Sequence, residues 1–120
     1  MKILVVDDSE AILKSTARFL RAIGHETLEC HDGREAWALL ESRAGEIHGV
    51  VSDYEMPHMS GLELLCRMRY KSETLGIPFV LFSGTLLGHL ELAFLKKGGG
   101  SFVPKPSDPS DLLTALGFSV

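Results

Sequence analysis

The chain has 120 residues, 45% of them hydrophobic and 23% charged, with a formal net charge of -4. That length holds one core without room for a second, so residues 1–120 are expected to form a single domain, and the composition excludes a disordered or collagen-like chain. The basic residues, such as Lys14, Arg34, Arg67 and Lys71, are scattered rather than gathered in a stripe, which excludes the electrostatic footprint of a nucleic-acid binder.

Apolar runs such as "ILVV" and "PFVLF" are too short to span a bilayer, and the N-terminus turns acidic before a signal-peptide core can form. No membrane partner is expected, and the location is read as cytoplasmic. Cys30 and Cys66 lie in separate apolar segments without CxxC spacing. They read as reduced, partly buried thiols and not as metal ligands.

In chain order, short β-branched runs alternate with amphipathic stretches, the pattern of βα units winding a parallel sheet. Strands are predicted at Lys2 to Val6, Glu26 to Cys30, Gly49 to Ser52, Phe79 to Ser83 and Ser101 to Pro104. The third and fourth are nearly continuous apolar, as strands buried on both faces should be.

The first helix carries Ile12, Leu13, Phe19, Leu20 and Ile23 at helical spacing, and Gly24 stops it. The second opens at Asp32 with Glu35 three residues on, an acidic capping box, followed by Ala36, Leu39 and Leu40 on one face with Trp37 packed beside them. The third is expected from Met59 or Ser60, carrying Leu62, Leu65, Cys66 and Met68. The fourth, "TLLGHLELAFLKK", sets Leu86, Leu90, Ala93 and Phe94 on one stripe and Leu92 and Leu95 on another. A helix so apolar around its circumference is expected to be covered, and its free face, near the fifth helix, to dock a target or a second copy. The fifth opens with Asp108 as N-cap and Pro109 at the first helical position, and ends at Gly117. "KKGGGSF" leads from a helix into a strand, so it is a stop and turn rather than a phosphate cradle. The histidines show no metal-ligand spacing.

Parallel strands end at one rim, where open α/β folds bind ligands. Here the strand ends bring Asp7 and Asp8, Asp53, Ser83 and Lys105 to that rim. Converging carboxylates repel unless a hard divalent cation joins them, and Mg²⁺, which keeps waters and binds phosphates, is the natural candidate. Lys105 and Ser83 complete a set suited to a phosphoryl group, whose transfer needs positioning and charge neutralisation.

"ILVVDDS", "VVSDYEMPHMSGLELL", "FVLFSGT" and "FVPKP" together resemble the signature segments of response-regulator receiver domains, in order over essentially the whole chain. The resemblance implies a flavodoxin-like doubly wound parallel sheet in the order 2-1-3-4-5 with helices on both faces. It implies that Asp53 accepts a phosphoryl group from a histidine kinase or phosphotransfer protein. It also implies that Asp8, Asp53 and the backbone carbonyl of Glu55 bind Mg²⁺, with Asp7 acting through water. Ser83 and Lys105 would hold phosphoryl oxygens, Phe102 would turn with Ser83, and Lys105-Pro106 would be cis. The fourth helix, fifth strand and fifth helix would then present the activated face to a downstream protein or a second copy.

Two departures stand out: the extra carboxylate of Glu55, two residues after the acceptor, and Gly84, which loosens the loop after Ser83. The expected function is a phosphorylation-controlled switch whose enzymatic activity extends at most to its own phosphorylation and dephosphorylation. The alternatives are a phosphorylation-independent binding module and a Mg²⁺-dependent phosphohydrolase, the latter opposed by the lack of chain for a substrate-binding cap. Stand-alone and excised origins both fit the sequence.

Overall fold

The computed structural model describes residues 1–118. Its elements are β1 (Lys2–Val6), α1 (Glu10–Ala22), β2 (Glu26–Cys30), α2 (Gly33–Arg43), a 3-10 turn (Ala44–Glu46), β3 (Gly49–Ser52), α3 (Gly61–Arg69), β4 (Phe79–Ser83), α4 (His89–Lys97), β5 (Ser101–Pro104) and α5 (Ser110–Leu116). All strand pairs are parallel, in the order β2-β1-β3-β4-β5. This is the flavodoxin-like doubly wound sheet, and every strand has the bounds expected from its sequence.

The strands alternate between two apolar layers because successive side chains leave opposite faces of the sheet. Leu4, Val6, Val50, Phe79 and Leu81 pack with α2, α3 and α4. Ile3, Val5, Val51, Val80 and Phe82 pack with α1 and α5. Both faces are covered, which is why the central strands read as unbroken apolar runs.

Helix ends follow their side chains. Ser9, Asp32 and Ser60 cap α1, α2 and α3, the latter two by accepting from the N–H groups of Glu35 at 2.9 Å and Glu63 at 3.2 Å. At the end of α1, Gly24 adopts φ +99° and the N–H groups of Gly24 and His25 return to the carbonyls of Arg21 and Leu20. That is a Schellman turn, for which the positive φ favours glycine. The expected capping box of α2 is only half formed, since the Glu35 carboxylate lies instead 3.8 Å from His31.

Three helices differ from expectation. α3 begins at Gly61 and turns Leu64, Leu65 and Met68 into the core while Leu62 and Cys66 stay partly exposed. α4 begins only at His89, so Leu86 lies in the preceding loop. Leu95 is buried and Leu92 partly so. Rotation of about 100° per residue then turns Leu90 and Phe94 toward α3, not toward α5 as the apolar stripe suggested. α5 runs from Ser110, although Pro109 already has helical angles (φ -57°, ψ -21°) and Asp108 still accepts from the Ser110 N–H at 3.0 Å.

Trp37 packs beside the core of its layer, as expected. Cys30 is buried and Cys66 partly exposed, both free thiols, and burial pushes the Cys30 thiol up to about 12. Cys30 is therefore inert at neutral pH.

Arg69 acts as a peg between two loops. Its Nε donates to the Gly98 carbonyl at 2.5 Å, and its Nη1 to the carbonyls of Leu75 at 3.0 Å and Ile77 at 2.9 Å. Burial of this cation lowers its pKa. Arg69→Met keeps much of the packing volume but strands those carbonyls, and is expected to cost about 1–2 kcal/mol in urea unfolding. Hydrogen exchange should rise first at residues 74–77 and 98–100, and a uniform rise across the sheet would contradict the peg.

Candidate functional site

Register brings the strand ends together. Val6 pairs with Ser52, and the Asp53 N–H donates to the Val6 carbonyl at 2.8 Å, so Asp7 and Asp53 leave adjacent strands side by side. Ser83 pairs with Pro104, and the Lys105 N–H donates to the Ser83 carbonyl at 2.9 Å. The site lies at the ends of the adjacent strands β1 and β3, whose following helices α1 and α3 cover opposite faces, the point at which the winding of the sheet reverses.

Carboxylate oxygens of Asp7, Asp8 and Asp53 lie within 4.8 Å of one another. Asp7 is 3% exposed. Its Oδ1 accepts from the Ser9 N–H at 2.9 Å and its Oδ2 from Lys105 Nζ at 2.6 Å. Lys105 Nζ also lies 3.3 Å from Asp53 Oδ1, which accepts from the Tyr54 N–H at 2.8 Å. One cation thus faces three carboxylates. Burial, followed by the charge of Asp7, raises the Asp53 pKa to about 6, against the opposing pull of Lys105. An all-oxygen, anionic donor set with surplus negative charge fits a hard divalent cation.

Ser83 is buried and its Oγ accepts from the Thr85 N–H at 3.0 Å. Phe102 is half-buried against the layer holding α4. The Lys105-Pro106 peptide is cis, as the resemblance implied. Glu55 is exposed and stands outside the carboxylate cluster. Gly84 is exposed, and a Cβ there would meet only Lys105 Cβ, at 3.9 Å.

Two contributors escaped the sequence reading. Gly61, to which the sequence reading gave no role, packs so closely under the loop after β3 that a Cβ would overlap the Asp53 carbonyl and sit 2.6 Å from Leu81 Cδ1. The Ser52 hydroxyl donates to that same carbonyl at 2.8 Å. Tyr54 is the second contributor. Its hydroxyl donates to Glu91 Oε2, and Glu91 Oε1 accepts from the Gly88 N–H at 2.9 Å, capping α4. The residue beside Asp53 is thereby tied to the start of α4 across a sequence separation that no local pattern reveals.

Comparison with known proteins identifies the family of the fold. The model of the response regulator receiver domain matches residues 3–117. The chain is 35% identical over 118 residues to the chemotaxis protein CheY1 of Helicobacter pylori, covering 97% of this chain and 94% of that one. It is 34% identical to a chemotaxis protein CheY homolog of Campylobacter jejuni, covering 97% and 89%. The solved structure of Vibrio cholerae CheY4 superposes with a TM-score of 0.85 at 29% identity, covering 97% and 95%. The receiver domain of the hybrid histidine kinase CckA superposes at 0.76 with 36% identity, covering 95% and 94%. With its model matched almost end to end, the chain belongs to the response-regulator receiver family of two-component signalling.

Proposed function

We propose that this receiver domain is a phosphorylation-activated switch in which Asp53 is the phosphoacceptor. The observation that carries this reading is the meeting of Asp53 with Lys105 at 3.3 Å beside the carboxylates of Asp7 and Asp8. In the transfer, an Asp53 carboxylate oxygen attacks the phosphorus of a phosphohistidine on a partner kinase or phosphotransfer protein. The P–O bond forms as the P–N bond breaks, and the leaving imidazole nitrogen keeps the bonding electron pair. Mg²⁺, held by Asp8, Asp53 and the Glu55 carbonyl with Asp7 behind them, would supply charge neutralisation at the phosphoryl oxygens.

The chain's own groups do the rest. The Tyr54 N–H fixes one oxygen of Asp53 and leaves the other to attack. Lys105 already lies between Asp7 and Asp53, so a short movement of Nζ brings it to a new phosphoryl oxygen. Ser83 accepts from Thr85 and donates no hydrogen bond among the described residues, so its proton is available to another phosphoryl oxygen. Those contacts exist only in the phosphorylated arrangement and favour it by their differential energy. Phe102 turns with Ser83, and the face of α4, β5 and α5 presents the result to a downstream protein. A cytoplasmic location belongs to the same reading, as does slow autodephosphorylation.

Intact-protein mass after incubation with acetyl phosphate is the test. The wild type should gain one phosphoryl group only with Mg²⁺ present, and Asp53→Asn should gain none. No gain in the wild type would sink the switch and leave a phosphorylation-independent binding module.

A further inference from the structure

α3 and α4 follow strands of one parallel sheet and lie on the same face, so they run in the same direction with a groove between them. The groove holds two adjoining hollows, of about 370 and 340 Å³, that share Cys66 and Phe94. Its walls are apolar: Leu62 and Cys66 on one side, Leu90 and Phe94 on the other. Leu90 is 87% exposed and Phe94 47%. Charge is sorted along its length. Glu63 and Glu91 stand at the end near the phosphoacceptor site, and Arg69 and Lys97 at the far end.

A groove that is acidic at one end and basic at the other complements itself when turned end for end. We propose that a second copy of this chain occupies it, about a two-fold axis that crosses the groove at Phe94. α4 then lies antiparallel against α4 of the other copy. Phe94 is midway in sequence between Leu90 and Gly98, and equally between Glu91 and Lys97. The symmetry therefore sets the projecting Leu90 of each copy over the hollow lined by Gly98 of the other, and each Glu91 toward a Lys97. Glu63 adds to the acidic end in both copies. Such an isologous contact is closed and ends at two copies. It uses the flank of α4 turned toward α3, so it leaves the face of α4, β5 and α5 free, and it does not depend on phosphorylation.

Sedimentation velocity of the whole chain over a concentration series tests this, with Glu63→Lys and Lys97→Glu as exposed charge reversals. The wild type is expected to self-associate with a Kd on the order of 100 µM, as suits a small interface. Each reversal alone should weaken association by about tenfold or more, because like charges then face each other twice. An equimolar mixture of the two variants should recover much of it, since the charges at positions 63 and 97 are then opposite in sign in both halves of the contact and only one of the two Glu91 carboxylates still faces a like charge. That recovery also shows that both variants are folded. A wild type that stays monomeric throughout, an association indifferent to both reversals, or a mixture no tighter than its components would each overturn the proposal.

Discussion

Gly61→Ala is expected to remove about 3 kcal/mol or more of stability, a large share of the roughly 5–15 kcal/mol that a domain of this kind possesses. The new Cβ would overlap the Asp53 carbonyl oxygen and approach Leu81 Cδ1 to 2.6 Å. Neither neighbour can yield cheaply. The carbonyl is held by the Ser52 hydroxyl at 2.8 Å, the Asp53 N–H is tied to β1, and Leu81 is fully buried in β4. The Gly61 N–H is itself anchored to the Tyr54 carbonyl at 2.8 Å, so the helix start cannot back away without losing that bond. Relief by moving the acceptor loop would displace the Asp53 carboxylate, and a shift of about 1 Å would slow phosphorylation on the order of 100-fold. Urea unfolding and the rate of acetyl-phosphate labelling, measured on the same preparation, should fall together. Gly76→Ala is the control, because a Cβ there meets nothing within 4 Å. If Gly61→Ala unfolds like that control, the close packing beneath the site is not what constrains Gly61.

The sheet was legible because its physics is local to each strand. A strand buried on both faces must be apolar at every position, so "GVVS" and "FVLFS" announce themselves and their polar ends mark the rim. Asp7 and Lys105 meet across 98 residues of sequence, yet both lie just beyond strand ends, and that position carried the prediction. Helix orientation was less legible. In α4 nearly every side of the helix is apolar, so its own pattern could not say which residues the sheet would bury. The late start at His89 and the inward turn of Leu95 are decided by neighbours. The Tyr54-Glu91 bond and the fit of Gly61 beneath Asp53 left no local pattern, because each rests on approach between elements rather than periodicity within one.

Asp53→Asn should also stabilise the metal-free protein, and the gain should depend on pH in a defined way. The Asp53 carboxyl is raised from 3.8 to about 6, chiefly by burial and then by the charge of Asp7. An acid whose pKa is higher in the folded state holds its proton there after the unfolded chain has lost it. Stability from this group therefore falls as pH rises from about 4 to about 6, and the full penalty remains above that window. About two units correspond to about 2–3 kcal/mol at pH 7, or near 10 °C in Tm for a domain of this size. The asparagine side chain carries no charge to desolvate, and Lys105 keeps its 2.6 Å partner in Asp7. The two proteins should thus unfold at nearly the same temperature at pH 4 and diverge through pH 6. Adding Mg²⁺ at pH 7 should raise the wild type toward the variant, because a cation that binds the folded carboxylates stabilises by mass action. Equal melting temperatures from pH 4 to pH 8 would mean that Lys105 already balances the cluster and that no surplus of negative charge awaits a metal.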